Sequence, residues 1–278
     1  MTNTIAITGA NGQLGRLAIA ALQARGASPI ALVRSPEKVA GLGVSARAFD
    51  YTIADPAALT GVNTLVLISS NDFTDRAGQH RKVIAAAKAA GVGRIVYTSI
   101  LKGAASPMLL AQDHIATEAA LEDSGIPHTL LRNGWYSENY TGALEAAIQH
   151  GAIIGAAGDG RVSSAARKDY AEAIAVTALD AAHTGKTYEL AGDDSHSGAD
   201  LAATIARASG KPVAYVSMPG ADYAKALQGF GLPEGFAHVL ADSDVQAAKG
   251  ALQDDSRTLS RLIGRPTTPI AETVAAAL

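Results

Sequence analysis

The first half of the chain alternates between short apolar runs and longer segments with helical spacing. The apolar runs lie at residues 5–8, 30–33, 64–68, 94–98 and 128–131. Between them, segments such as 14–24, 81–90 and 115–121 place apolar residues three and four positions apart, as in amphipathic helices. Continuous apolar strands that alternate with such helices are typical of a parallel sheet covered on both faces. The pattern therefore predicts an α/β fold.

The rhythm changes after about residue 150, where strand-like pieces are farther apart and helical stretches dominate. No segment rich in Ser, Gly or Pro separates the two halves, so we do not expect a flexible linker. We predict a Rossmann-type, doubly wound parallel sheet over residues 1–150, completed by strands at about 152–155 and 186–190. Residues 151–278 would form a smaller, mostly helical C-terminal lobe on the substrate side, which does not fold independently.

The strongest chemical signal is a glycine-rich turn between the first predicted strand and helix. Residues 8–15 read TGANGQLG, so Gly9, Gly12 and Gly15 recur at every third position. In a dinucleotide-binding loop one glycine permits the turn, one lets the backbone approach a pyrophosphate and one lets the helix pack closely. A purely structural turn would use glycine too. The strand before it, the helix after it and the next strand about 20 residues on favour dinucleotide binding, with the phosphates at the helix N-terminus.

The end of the second strand indicates which dinucleotide is bound. An NAD site places Asp or Glu there to accept from the ribose 2′-hydroxyl. This chain has Arg34 instead, with Ser35 and Lys38 close behind. A guanidinium binds a 2′-phosphate through two parallel hydrogen bonds, so the sequence favours NADP(H). The alternative is that Arg34 is a solvated surface residue.

The usual acid of short-chain reductases is missing. None of the eight tyrosines has a lysine four positions later. A ketone that accepts a hydride becomes a strongly basic alkoxide and needs a positioned acid. A quinone becomes a phenolate, whose parent phenol has a pKa of about 10 like tyrosine, and it can take its proton from water. The sequence therefore favours quinone-like acceptors, reduced by positioning alone.

Other catalytic patterns fail. Gly185, Lys186 and Thr187 resemble the end of a phosphate-binding P-loop, but Asp180 stands where its first glycine should be. No G-x-S-x-G hydrolase turn occurs, and the seven histidines show no metal-binding spacing. His80 and His114 stand out, although lining or capping a helix is the more ordinary role for each. We expect no metal.

Composition and charge exclude several classes. With 23 Lys and Arg against 26 Asp and Glu, the net charge of −3 argues against a nucleic-acid partner. The chain has no cysteine, which excludes disulfides, thiolate metal sites and cysteine nucleophiles. No apolar run approaches the 18 or so residues of a membrane span, and residues 1–4 contain no basic targeting segment. We expect a cytoplasmic protein with neither nucleic-acid nor membrane partner.

Several stretches together carry a family resemblance. They are TGANGQLG at 8–15, Val33-Arg34, LISS at 67–70, LLRNGWYSENY at 130–140, GAAGDG at 155–160, YELAGD at 188–193 and LADSD at 240–244. In these stretches the chain resembles the NmrA-like branch of atypical short-chain dehydrogenases, and within it the bacterial NADPH:quinone oxidoreductase 2 subgroup, whose relatives include triphenylmethane reductase. The likeness spans nearly the whole chain. The RNGWYSENY stretch is distinctive, whereas the glycine loop is not.

The resemblance implies a set of cofactor-binding residues. They are Gly9, Ala10, Asn11, Gly12, Gln13, Leu14, Arg34, Ser69, Ser70, Asn71, Asn133, Gly134, Trp135, Tyr136, Ser137, Glu138 and Arg167. Residues 69–71 would pass beside the cofactor ribose and 133–138 would lie near the nicotinamide, while Arg167 is included by analogy alone. Asn11 stands where relatives often have Thr, and Asn71 replaces a Ser of close relatives. For Trp135 and Tyr136, packing between lobes is the alternative role.

Two functions of different classes fit these features. The first is an NADPH-dependent reductase of a small quinone or dye-like acceptor, with Tyr136 as a weak candidate for a catalytic acid. The second is an NADP(H)-sensing regulatory protein without catalysis, since members of the wider family also lack the Tyr–Lys pair. A sugar epimerase is disfavoured because it needs the absent tyrosine. The helical second half is compatible with a homodimer.

Overall fold

The computed structural model describes residues 3–278; Met1 and Thr2, part of the start searched for a targeting segment, lie outside them. Within that range the strands are β1 (Ile5–Ile7), β2 (Ile30–Val33), β3 (Ala46–Ala48), β4 (Thr64–Leu67), β5 (Arg94–Ile100), β6 (His128–Asn133), β7 (Ala152–Gly155), β8 (Thr187–Leu190) and β9 (Ala214–Ser217). The helices are α1 (Gln13–Gln23), α2 (Arg76–Ala89), α3 (Ala111–Ser124), α4 (Leu144–His150), α5 (Arg167–Leu179), α6 (Gly198–Ser209), α7 (Gly220–Gly229), α8 (Glu234–Ala247), α9 (Thr258–Ile263) and α10 (Ile270–Ala276).

Seven of the strands form one sheet in the order β3-β2-β1-β4-β5-β6-β8. The five pairings from β3 through to β6 are all parallel. The chain moves from β1 outward to β2 and β3, and then returns to place β4 on the other side of β1. This reversal is the topological switch point at which ligands bind in doubly wound sheets. The sheet confirms the predicted fold class.

Alternating side chains of the sheet are buried on both faces. Ala6, Leu65 and Ile95 join one core cluster with apolar residues of α2 and α3. Their neighbours along the strands, Ile7 and Val66, are also fully buried. On that second face α1 packs against α5, which in turn contacts β4, β5 and β6. Burial on both faces explains why the strands read as continuous apolar runs rather than as an alternation.

A buried arginine ties the start of β5 to the end of α5. Arg94 donates to the backbone oxygens of Thr177 at 2.9 Å, Ala178 at 2.5 Å and Asp180 at 3.3 Å, and also to the Thr64 hydroxyl. The last carbonyls of a helix have no partner within the helix and carry partial negative charge. The guanidinium satisfies them, and burial lowers the pKa of Arg94 below its ordinary value.

The chain divides into two compact units, and neither follows the expected boundary near residue 150. The first comprises residues up to Gly103 together with Asp113–Asn133 and Arg167–Tyr188. The second comprises Ala104–Gln112, Gly134–Ala166 and Glu189–Leu278. Because the chain crosses between the units several times, a single boundary in the sequence cannot describe them.

The second unit has its own small sheet and core. In it β7 pairs with β9 in parallel, and Leu144, Leu201, Ile205 and Val274 form an apolar cluster. The expectation that residues 152–155 complete the large sheet is therefore wrong, whereas residues 187–190 do join it as β8. None of the helices over residues 3–278 is long and apolar enough to cross a membrane.

Replacing Arg94 with Met should destabilise the protein. The change leaves several buried carbonyl oxygens without a donor, and each such group costs about 1–3 kcal/mol. We expect a loss of at least 2 kcal/mol, about that of one or two such groups, in the free energy of unfolding by urea. The exposed Arg81→Met change serves as the control and should stay within about 0.5 kcal/mol of the parent. An equal effect of the two changes would contradict the capping role.

Candidate dinucleotide-binding site

The loop after β1 brings the start of α1 against the end of the strand. Gly9 has a φ of +61°, in the left-handed region, and its carbonyl oxygen accepts a 2.9 Å hydrogen bond from the Gly12 N–H. A Cβ added at Gly15 would lie 2.3 Å from that same oxygen. The helix can therefore pack this closely only because residue 15 is glycine. These are the turn and the close packing that the glycine spacing predicts.

The N-terminus of α1 is open. Gly12 is the N-cap, no side chain of residues 3–278 caps the helix, and its first turn carries no acidic residue. The first N–H groups of a helix lack partners within the helix and form the positive end of its dipole. Gln13, the first helical residue, is exposed. This end thus offers several backbone donors to an anion.

Two loops flank the switch point between β1 and β4. They are the glycine loop and the segment from Ser69 to Asn71. Thr8 links the strand ends from which the two loops start. Its N–H donates to the Val66 oxygen at 3.0 Å, and its hydroxyl accepts from the Ile68 N–H at 3.0 Å. The sequence-predicted residues 9–14 and 69–71 therefore lie at the carboxyl ends of neighbouring parallel strands, where such sheets bind ligands.

Arg34 directly follows β2 and has an exposed side chain. Its guanidinium forms no hydrogen bond and no ion pair with the side chains or backbone of residues 3–278. Hydrogen bonds from the Thr52 N–H and hydroxyl lower the pKa of Asp50, and the charge of Arg34 adds to this effect. The Arg34 guanidinium, at the end of the strand next to β1, can therefore bind a phosphate on the ribose of a dinucleotide.

Hydrogen bonds with buried polar groups fix the backbone of the segment from Ser69 to Asn71. The Ser70 N–H donates to His80 Nε2 at 3.0 Å, and the Ser69 N–H donates to the Thr98 hydroxyl at 2.9 Å. The Ser70 carbonyl oxygen accepts from Arg76 Nε at 2.7 Å. Both supporting side chains, His80 and Arg76, come from the first two turns of α2. Sequence reasoning singled out His80 but not this function, because the pattern does not show that α2 begins at Arg76.

The hydrogen bonds of His80 determine its protonation. Since Nε2 accepts from a backbone N–H, the proton lies on Nδ1, which donates to the Thr117 hydroxyl at 2.9 Å. Burial, with a smaller contribution from the Arg76 charge, lowers the pKa of His80 to about 3. Nearby, the Tyr97 hydroxyl lies 2.9 Å from Nδ1 of His114, and burial lowers the pKa of His114 as well. Both imidazoles are neutral at ordinary pH.

A second network lies at the end of β5. The Ser99 hydroxyl donates to Glu118 Oε1 at 2.5 Å, and the carboxylate accepts two hydrogen bonds from Arg132, at 3.0 and 2.7 Å. Gly103, with a φ of +47°, makes room, since a Cβ there would lie 2.2 Å from Arg132 Cζ. Because the hydroxyl proton of Ser99 points to a carboxylate, it is not directed at a substrate.

His114 and Glu118 reveal a signal that the search for Tyr-x-x-x-Lys missed. They stand four positions apart on α3, which is the spacing of that missing pair. Their contacts are with Tyr97 and Ser99 of β5. The helix thus presents an imidazole and a carboxylate with the spacing of the Tyr-x-x-x-Lys pair.

The second unit contains the remaining predicted segment, residues 134–138. Asn133 is the buried last residue of β6, and the chain then enters this unit. The Ala165 N–H donates to the Trp135 oxygen at 3.1 Å, and the Ser137 N–H donates to the Ala165 oxygen at 2.9 Å. The half-buried Tyr136 side chain lies between these two bonds in sequence. This pairing fixes the backbone of the segment.

Buried hydroxyl groups hold the same segment at Ser137. Its Oγ lies 3.0 Å from the Ser164 Oγ, which lies 2.9 Å from Nε2 of His196. The edge of the Tyr140 ring meets the ring of His196 at a centroid distance of 5.4 Å. Burial raises the pKa of Tyr140 well above its ordinary value, and the Asp244 carboxylate adds to the shift. Arg167, the last predicted residue, begins α5 in the first unit and is half-buried.

Comparison with known proteins identifies the family. The model of a family described as NAD(P)H-binding matches residues 9–181, more than half of the chain. The chain belongs to this NAD(P)H-binding family. The matched range contains the glycine loop, Arg34 and the segment at Ser69 to Asn71.

Known reductases from two sources are similar to this chain over almost their whole length. Quinone oxidoreductase 2 of Escherichia coli is 54% identical over 97% of each chain. The crystal structure of an NADPH-dependent quinone oxidoreductase from Escherichia coli, complexed with NADPH, is 53% identical, with a TM-score of 0.94 over 98% of this chain and 99% of that one. The Citrobacter sp. triphenylmethane reductase complexed with NADP(H) is 36% identical, with a TM-score of 0.92 over 99% and 100%.

The buried imidazoles predict acid sensitivity. Between pH 6.5 and about 3 the unfolded chain binds a proton at residue 80 that the folded protein does not, so stability falls as the pH is lowered through this window, by about 1.4 kcal/mol per pH unit for one such group. In His80→Gln the amide oxygen can still accept from the Ser70 N–H, but this titration is lost. Urea unfolding at several pH values should show that the free energy of unfolding depends less steeply on pH in His80→Gln than in the parent. The same pH dependence in both proteins would contradict the assignment.

Proposed function

We propose that the protein is an NADPH-dependent quinone reductase. The observation that carries the proposal is the open N-terminus of α1 at the switch point of the sheet, with the exposed Arg34 at the end of the neighbouring strand. The similarity to an Escherichia coli quinone oxidoreductase in complex with NADPH supports both the cofactor and the acceptor class.

The described residues fit this cofactor. The open backbone N–H groups of Gln13 and Leu14 would bind the pyrophosphate, and Arg34 would bind the 2′-phosphate. Ser69, Ser70 and Asn71 would line the ribose side of the same crevice. The roles of Asn133, of residues 134–138 beside the nicotinamide, and of Arg167 stay predictions. A cytoplasmic location and a homodimer likewise remain expectations of the sequence.

The acceptor class follows from what the side chains can donate. When bound, the reduced nicotinamide supplies a hydride. The chain then has only to hold a planar acceptor in position, because the phenolate product has a conjugate acid with a pKa of about 10 and can take its proton from solvent. Alignment of the two reactants supplies the rate, through the effective molarity of a bound pair.

The side chains that could act as acids are not poised to donate a proton, which supports this mechanism. The Ser99 proton is donated to Glu118, and His114 is neutral because burial lowers its pKa. Burial raises the pKa values of Tyr97 and Tyr140, which is opposite to the shift that a catalytic tyrosine needs. Tyr136 is half-buried and remains a weak candidate.

The function is tested by following NADPH oxidation with a series of acceptors. We expect benzoquinones to be reduced and simple ketones of similar size to react poorly, because an alkoxide product would lack an acid. Oxidation of NADPH by neither class, together with tight NADPH binding, would contradict the proposal and favour a sensing protein without catalysis.

Arg34→Ala should change cofactor preference. The loss of a hydrogen bond to a charged group should weaken NADPH binding by about 1.5–3 kcal/mol, whereas NADH, which lacks the 2′-phosphate, should bind almost as before. Calorimetric titration of both cofactors measures the difference. Equal losses of affinity for the two cofactors would contradict the assignment of Arg34 to the 2′-phosphate.

Single replacements of candidate acids should have small effects. We expect Ser99→Ala, Tyr136→Phe and Tyr140→Phe each to lower kcat for a quinone by no more than about tenfold. Each change would weaken only the positioning of the acceptor, which raises the activation free energy by at most about 1.4 kcal/mol. General acid catalysis contributes about 10²–10⁴-fold where it operates. A thousandfold drop in kcat for Tyr136→Phe, with NADPH affinity intact, would make Tyr136 the proton donor after all.

A further inference from the structure

The side chain of Arg16 joins two loops at the candidate site. Arg16 is the fourth residue of α1, and its Nε donates to the Asn11 backbone oxygen at 3.1 Å. Its Nη2 donates to the side-chain oxygen of Asn11 and, at 3.0 Å, to the Lys38 backbone oxygen. One guanidinium thus holds both the main chain and the side chain of Asn11 together with the backbone at Lys38.

The two loops have different roles in the proposed function. Asn11 belongs to the glycine loop, which faces the pyrophosphate. Lys38 belongs to the short 3-10 helix Pro36–Leu42, which is separated from Arg34 only by Ser35, and its N–H donates to the Ser35 oxygen at 3.1 Å. The Arg16 bridge therefore fixes the segment from Arg34 to Lys38 relative to the glycine loop.

Charge at this corner points to an anionic ligand. Arg16, Arg34 and Lys38 are all exposed cations on these neighbouring segments. Asp50 is the carboxylate on which the charge of Arg34 acts. A phosphate bound here would offset the repulsion among the cations, and a guanidinium held by three acceptors loses little further freedom when the ligand arrives.

We propose that Arg16 is a positioning residue that preorganises the 2′-phosphate site and thereby sets the preference for NADPH over NADH. The inference rests on the proposed function, because it concerns the same cofactor site. Arg16 acts through the backbone at Lys38, which aligns the segment that carries Arg34. Asn11 is its partner, since its backbone and side-chain oxygens are the acceptors that link Arg16 to the glycine loop.

The test compares two small probes that require no catalysis. These are 2′,5′-ADP, which carries the 2′-phosphate, and 5′-ADP, which lacks it. For Arg16→Ala we expect about tenfold weaker binding of 2′,5′-ADP, the size of one net hydrogen bond, and less than about twofold for 5′-ADP. Arg16→Lys keeps the charge but cannot hold both loops, so its affinity should lie nearer to that of Arg16→Ala than to that of the parent.

Two further variants separate positioning from charge and from misfolding. Arg25→Ala removes an arginine just beyond the other end of α1 and should leave the affinity for both probes unchanged. Asn11→Ala removes one of the three bonds of Arg16 and should give a smaller loss for 2′,5′-ADP in the same direction. The double variant should lose no more than Arg16→Ala alone, because the bond that Asn11→Ala removes needs Arg16. Thermal unfolding checks that each variant is folded.

Several outcomes would overturn the inference. They are equal losses for the two probes, full affinity in Arg16→Lys, a loss in Arg25→Ala as large as in Arg16→Ala, or additive effects of Asn11→Ala and Arg16→Ala. Failure of the proposed function looks different. In that case the parent protein itself would not prefer 2′,5′-ADP to 5′-ADP, and it would not oxidise NADPH with a quinone.

Discussion

The approach of α1 to the end of β1 is the constraint on which the site depends. A Cβ at Gly15 would lie 2.3 Å from the Gly9 oxygen, so any other residue there would push the helix away from the strand. Because the helix begins so close to the strand, its first N–H groups open at the switch point of the sheet, between the loops that follow β1 and β4. Arg34 and the segment from Ser69 to Asn71 follow the strands on either side of β1, so this helix end lies between them.

Around this end, the side chains mainly hold the backbone in place. His80 and Arg76 fix the loop after β4 through its N–H and carbonyl groups. Glu118 accepts from Ser99 and Arg132, so the polar groups at the end of β5 satisfy one another. Burial keeps the imidazoles neutral. Such a site suits a reaction that needs alignment and a fixed anion-binding surface more than it needs proton transfer from the protein.

The sequence predicted the parts of the site that depend on local pattern. The glycine spacing and the apolar runs correctly indicated β1, α1 and the large parallel sheet. The strand β3 was missed because it is short and only half-buried, and Arg47 interrupts its apolar character. The partner of residues 152–155 could not be predicted from their apolar pattern, which indicates a strand but not the strand with which it pairs. The networks of His80 and Glu118 join residues far apart in sequence, so only the fold brings them together.

The most direct test of this account is a single-turnover measurement of hydride transfer. Protein and NADPH are mixed rapidly with benzoquinone, and the absorbance of the reduced nicotinamide is followed for unlabelled NADPH and for NADPH with deuterium at either C4 position. The account predicts a rapid loss of one equivalent of reduced cofactor per site, slowed by deuterium at only one of the two positions. Tight binding of NADPH with no such loss, or a rate that deuterium at neither position changes, would contradict it.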